Sequence, residues 1–204
     1  LHYSINNENT AGIEHFKKAL PIAIKVYGPS HPEVARIYWN LAVNYGRLRQ
    51  WGQAADYYEK ELAVRLKSKR PARIDIAGTY FNLGWVYGRE HKNEYVKAIE
   101  NYKKALSIRL KVLGPAHLDV AVVYEQLGIN SVFNGQFDQG VVFFEEALSI
   151  YQKAKGPESL ELAGVYSGFG SCALEVGRIP SAIENLEKAL GIQLKIYGAE
   201  HIEI

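Results

Sequence analysis

The stretch Gly28-Pro29-Ser30-His31-Pro32-Glu33-Val34-Ala35 returns as Gly114-Pro115-Ala116-His117-Leu118-Asp119-Val120-Ala121, and again as Gly156-Pro157-Glu158-Ser159-Leu160-Glu161-Leu162-Ala163. A degenerate copy, Arg70-Pro71-Ala72-Arg73-Ile74-Asp75-Ile76-Ala77, fills the gap between the first two, and Gly198-Ala199-Glu200-His201 opens another. The copies start at positions 28, 70, 114, 156 and 198, so they step by 42, 44, 42 and 42 residues. A near-constant period of this length marks a repeat protein, in which each unit buries its apolar face against its neighbours.

Between junctions, each unit carries two stretches of helical periodicity. The first reads Tyr38-x-x-Leu41-Ala42-x-x-Tyr45, Tyr80-x-x-Leu83-Gly84-x-x-Tyr87, Tyr124-x-x-Leu127-Gly128-x-x-Ser131 and Tyr166-x-x-Phe169-Gly170-x-x-Ala173. Spacings of three, four and seven put these residues on one stripe of a helix, and the small central residue admits a close neighbour. The second reads Ala54-x-x-x-Tyr58, Ala98-x-x-x-Tyr102, Gly140-x-x-x-Phe144 and Ala182-x-x-x-Leu186, a small and a large residue one turn apart. The pattern predicts helices over 9–27, 31–48, 52–68, 72–90, 94–112, 117–134, 137–154, 159–176 and 180–197. The four tyrosines Tyr38, Tyr80, Tyr124 and Tyr166 are expected in equivalent, mostly buried places.

This Leu-Gly…Tyr…Ala…Phe alternation resembles the tetratricopeptide repeat. The 42-residue period and the Gly-Pro-x-His-x-Asp-Val-Ala junction resemble more specifically the kinesin-light-chain class, whose second helix is lengthened. The resemblance implies an all-α fold, a right-handed α-solenoid of antiparallel helix pairs, with the first helices lining a concave face. On that basis residues 1–204 form one solenoid: 1–27 is the second helix of a truncated repeat, 28–69 a repeat, 70–113 a repeat with a two-residue insertion, 114–155 and 156–197 repeats, and 198–204 the start of another truncated repeat. A chain that starts at Leu1 and contains no methionine is expected to be a piece of a longer protein, with apolar surface uncovered where the array is interrupted.

The charges repeat as well. Glu33, Asp75, Asp119, Glu161 and Glu203 form a column at the starts of first helices, and Lys25, Lys67, Lys111, Lys153 and Lys195 a column in the last turns of second helices. Each sign opposes the partial charge of its helix end, so both columns read as scaffold. The glycine after Lys25, Lys111, Lys153 and Lys195 is a left-handed helix stop, and the proline that follows it at 29, 115 and 157 cannot continue the helix. Pro21 lies inside the first helix, where a kink is expected, whereas Pro180 sits at a helix start that tolerates it. Ala98 follows Tyr87 by 11 positions where Ala54 follows Tyr45 by 9, so the two extra residues fall in an inter-helix turn.

Composition narrows the function. With 24 Lys+Arg against 22 Asp+Glu, the net charge of +2 lacks the concentrated basic surface of a dedicated nucleic-acid binder. Lys67-Ser68-Lys69-Arg70 with Arg73 is a single short basic cluster, read as solvated surface. At 48% hydrophobic residues the chain is not disordered, and no apolar run is long enough to span a bilayer. One cysteine, Cys172, allows no internal disulfide and fits a reducing, cytoplasmic setting. No phosphate loop, His-Glu-x-x-His, Cys-x-x-Cys or Gly-x-Ser-x-Gly is present. The histidines His31, His117 and His201 share one junction column and do not converge as metal ligands would. Neither an enzyme, a cofactor nor a metal is expected.

The remaining candidate is the concave face that the resemblance implies. Its columns give Asn40, Val43 and Arg47, then Asn82, Trp85 and Arg89, then Gln126, Ile129 and Phe133, and last Gly168, Ser171 and Glu175, with Trp39, Phe81, Glu125 and Ser167 alongside. A side-chain amide both donates and accepts, so the Asn, Asn, Gln row suits the backbone of an extended peptide. In peptide-binding members of the family an Asn here has that part, and the resemblance carries it to Asn40 and Asn82. Two alternatives stay open: the amides bond between adjacent helices, and Trp39, Phe81 and Trp85 only pack between repeats. Lys and Asn in the carboxylate-clamp arrangement are not evident, since Trp39 and Val43 stand there. The leading expectation is a protein-interaction scaffold whose partner is a peptide or protein segment, acidic with an aromatic or aliphatic anchor. The rivals are a ligand-sensing segment of a larger NTPase-type signalling protein and a passive structural or self-association spacer.

Overall fold

A computed structural model of the chain describes residues 2–68, 72–90 and 94–198. Among them are nine α-helices and no strand: α1 (His2–Tyr27), α2 (Pro32–Arg47), α3 (Trp51–Lys67), α4 (Arg73–Glu90), α5 (Tyr95–Leu113), α6 (Leu118–Phe133), α7 (Phe137–Lys155), α8 (Leu160–Glu175) and α9 (Ile179–Tyr197). Eight of them agree with the sequence pattern to within one residue at each end. The exception is α1, which starts at His2 rather than at 9 and continues through Pro21. Its apolar stripe is interrupted by Asn9, which is only 3% exposed and holds a place where the period calls for an apolar side chain. The degenerate junction at 70–71, the inserted turn at 91–93 and the last junction at 199–204 lie outside the described residues, as do Lys69 and Arg70 of the basic cluster.

The junctions start and stop helices as their residues dictate. Gly28 and Gly114 adopt φ of 86° and 84°, a left-handed conformation that costs glycine little, and their N–H groups close onto Ile24 and Leu110 carbonyls. The junction histidine is an N-cap. Nδ1 of His31 accepts from the Glu33 N–H at 3.1 Å, and Nδ1 of His117 accepts from the Asp119 N–H at 3.1 Å. Each thereby satisfies one of the backbone donors that a helix start leaves over. The acidic column sits in the first turns of α2, α4, α6 and α8, and the described lysines of the basic column in the last turns of the second helices. Several of these charges also pair across the junction: Arg65 with Asp75 at 2.6 Å, Lys195 with Glu158 at 2.6 Å, and Lys155 with Glu161.

Contacts divide the chain into two units, Leu1–Ile108 and Arg109–Ile204, with the division inside α5. Within each unit, successive helices pack on one another, as in an α-solenoid. In the first, α1, α2, α3 and α4 share a core that includes Leu41, Ala42, Tyr45, Ala54, Tyr58 and Leu83. In the second, α6 packs on α7, α7 on α8 and α8 on α9. The small-against-large pairing holds in both. A methyl group added at Gly84 would lie 2.9 Å from the Tyr102 ring, one at Gly128 2.7 Å from the Phe144 ring, and one at Gly170 2.8 Å from Leu186.

The four column tyrosines occupy equivalent places but are half-buried rather than mostly buried. Each lies against the following second helix: Tyr38 on Tyr57, Tyr80 under Lys104, Tyr124 on Phe143 and Tyr166 under Lys188. The ring bodies fill inter-helix space while their edges stay wet. α1 exposes Ile22, Val26 and Tyr27, and α9 exposes Ile183, Leu186, Leu190 and Leu194.

Candidate binding surface on the first helices

In the first unit, α2 and α4 carry the candidate residues at the spacing of one helical face. Asn40 donates from Nδ2 to the Arg36 carbonyl at 2.8 Å, and Asn44 does the same to Asn40. The Asn40 amide therefore spends a donor within its own helix, one turn back, and not on a neighbouring helix. Asn82, in the same column of α4, is half-buried. Val43 and Trp85 are partly buried against the core, and the Trp85 indole meets Trp51 of α3 edge-on with centroids 5.2 Å apart. Phe81 meets Tyr102 of α5 in the same way at 5.3 Å. Trp85 and Phe81 are thus packing residues that keep part of their surface open, whereas Trp39 is 39% exposed.

Arg47 and Arg89 close the last turns of α2 and α4, both exposed. The Arg89 guanidinium sits 4.5 Å above the Trp85 ring, a cation–π contact that fixes its plane while leaving N–H donors at its edge. Among the described residues, neither arginine has a carboxylate within salt-bridge distance. Burial, and at Tyr58 also the Glu61 carboxylate, pushes the phenols of Tyr58 and Tyr102 up. Arg47 counters this at Tyr58 and Arg89 at Tyr102, so each guanidinium acts on the ring column beside it.

In the second unit the face is a cavity. Ile129 and Phe133 of α6 stand opposite Gly168, Ser171 and Glu175 of α8, around a pocket of about 420 Å³ that Phe137 and Phe144 complete. Phe133 is 63% exposed, and Phe144, itself fully buried, closes the floor. The seat of the Phe144 ring depends on a missing side chain. Gly168 stands in the column of Asn40, Asn82 and Gln126, and a methyl group there would lie 2.3 Å from the Phe144 ring. Ser171 donates to the Ser167 carbonyl at 3.0 Å. Gln126 is half-buried, and its backbone carbonyl accepts from Asn130 Nδ2 at 2.8 Å. Glu125 turns inward to accept from the Tyr151 hydroxyl at 2.9 Å, and burial pushes its carboxyl up.

Two features lay outside the sequence expectations. The Phe144 ring packs on Gly168 beneath the pocket, and the signal available was a glycine in an amide column. Glu61 stands where Ala19, Ala105, Ala147 and Ala189 stand in the other repeats, and it bonds Arg65 at 2.6 Å. Cys172 is buried, and burial pushes its thiol up, away from nucleophilic character. Among the described residues, no three His, Cys, Asp or Glu side chains cluster as metal ligands would, and no helix is long and apolar enough to cross a membrane.

Comparison with known proteins agrees with this architecture. A tetratricopeptide-repeat family model matches residues 2–67 and 131–195, and a second tetratricopeptide-repeat model matches 77–111. No curated protein matches the chain. Among solved structures, a putative kinesin light chain from Podosopora anserina, with nearly identical TPR-like repeats, is 20% identical with a TM-score of 0.77, over 96% of this chain and 94% of that one. BtubC (BKLC) from P. vanneervenii is 19% identical with a TM-score of 0.74, over 99% and 77%. MamA is 20% identical with a TM-score of 0.64, over 90% and 88%. At these identities the likeness is one of fold. The family models cover more than half of the sequence, over helices whose caps, glycines and rings recur at the same offsets, and the chain belongs to the tetratricopeptide repeat family.

Proposed function

We propose that the protein is a non-enzymatic, cytoplasmic interaction scaffold that binds an extended peptide or protein segment on its first-helix face. The observation that carries this is the pair Arg47 and Arg89: two exposed guanidiniums in equivalent columns of adjacent first helices, one stacked at 4.5 Å on Trp85, and neither paired with a described carboxylate. A cation held on an indole beside a half-buried amide, Asn82, suits a carboxylate lying next to an aromatic or aliphatic side chain. The carboxylate takes a charge-assisted bond from Arg89, and the apolar group covers the open surface of Trp85 or Phe81. Each exposed ion pair contributes only about 0.2–1 kcal/mol, so apolar contact supplies most of the affinity while charge selects the register.

The test is a titration of a peptide library against wild type, Asn82→Ala and Arg89→Glu. Acidic-aromatic peptides are expected to bind wild type, to weaken modestly with Asn82→Ala and to weaken at least tenfold with Arg89→Glu. Equal binding to all three proteins would remove the first-helix face of this unit as the site.

A further inference from the structure

The second unit reverses the charge of this face. In α2 and α4 the last turn holds a cation, Arg47 or Arg89, against the negative end of the helix. In α6 and α8 the last turn holds no basic residue, and the same column carries Phe133 and Glu175. The C-terminal end of a helix bears a partial negative charge, and Glu175, the last residue of α8, adds a full one to it. Both helices bring these ends to the pocket of about 420 Å³, because Phe133 and Glu175 both line it. Ile129, Val132, Phe137 and Phe144 make its other walls mainly apolar, beside Ser171, and among the described residues Glu175 is the one charged side chain on it. A cavity of this size, apolar within and with one carboxylate, is shaped for a ring accompanied by a positive charge.

We propose that the pocket between α6 and α8 is an anchoring subsite for a segment in which an aromatic side chain is flanked by Lys or Arg. It rests on the scaffold reading above, and it assigns the second unit a basic partner sequence where the first takes an acidic one. The aromatic ring enters between Ile129, Phe133 and Phe137, above the buried Phe144, and the neighbouring cation meets Glu175 and the uncompensated helix ends. Gly168 seats the floor of the subsite: its column holds an amide in the other three repeats, and a methyl group there would lie 2.3 Å from the Phe144 ring.

The experiment uses the full chain and three dye-labelled peptides of equal length, with central Trp-Lys, Trp-Glu or Ala-Lys, titrated by fluorescence anisotropy. The proteins are wild type, Glu175→Lys, Phe133→Ala and, as a control on α9, Glu187→Lys. Glu175 and Phe133 are exposed, and circular dichroism verifies that the helices stay intact on their replacement. Trp-Lys is expected to bind wild type at least tenfold more tightly than Ala-Lys. That binding is expected to fall at least tenfold with Glu175→Lys and with Phe133→Ala, and to be unchanged with Glu187→Lys. Trp-Lys binding that is indifferent to Glu175→Lys and Phe133→Ala overturns the subsite. If Trp-Glu binds wild type and Trp-Lys does not, the subsite fails while the scaffold reading stands. If no peptide binds, both fail.

Discussion

Glu61 is 1% exposed in a column that elsewhere holds alanine. Arg65 donates to its Oε1 at 2.6 Å, Arg65 also reaches Asp75 at 2.6 Å, and Oε2 has no hydrogen-bond partner. Burial pushes this carboxyl up, and the opposing pull of Arg65 does not offset it. The folded protein therefore holds the Glu61 proton to higher pH than the unfolded chain does. The resulting stabilisation is fully present below the ordinary carboxylate range and is lost as pH rises through the raised folded value. Urea unfolding of wild type and Glu61→Gln between pH 4 and pH 8 is expected to show wild type losing stability relative to the variant as pH rises. A constant difference across that range would mean that the carboxylate ionises in the fold at no cost. The sequence displayed Glu61 as an exception to its column, but not whether it faced water, because that depends on Arg65, Thr79 and Asp75 meeting around it. The junction histidines were legible only as a repeated position. Histidine stands outside the usual capping residues, and its role follows from Nδ1 lying 3.1 Å from a backbone N–H.

Helices in this protein are defined twice, by their stop signals and by their partners. The recurring junctions, lysine columns and apolar stripes made eight helices legible to within a residue, whereas α1 ran longer because Asn9 disguises its stripe. Pairing depends on glycine where a large side chain presses against the backbone. A methyl group at Gly128 would come 2.7 Å from Phe144, while one at Gly191, inside α9, meets nothing within 4 Å. The same substitution should then act with opposite sign at the two positions. Gly128→Ala is expected to destabilise by about 1–3 kcal/mol through overpacking. Gly191→Ala is expected to stabilise by about 0.4–1 kcal/mol, because it restricts the unfolded chain without a clash. Chemical denaturation of both variants measures this, and a Gly128→Ala protein as stable as wild type would show that the helices pair with slack.

Across the whole molecule, the repeat carries the fold and the departures from it carry the chemistry. Column arithmetic alone brought Ile129 and Phe133 to the face where the pocket lies, and Arg89 to Trp85. It could not show that the pocket exists, because a single sequence records residues, not the space between them. Nor could it show that Trp85 leans on Trp51, since that contact joins neighbouring helices at a distance their turn decides. The central claim is that partners bind the first helices. Hydrogen–deuterium exchange of the full chain, with and without the tightest-binding peptide from the titrations, tests it most directly. Slowed exchange is expected in α2 and α4 for an acidic-aromatic peptide, or in α6 and α8 for an aromatic-basic one, with α3, α5, α7 and α9 unchanged. Slowing confined to those second helices would contradict it.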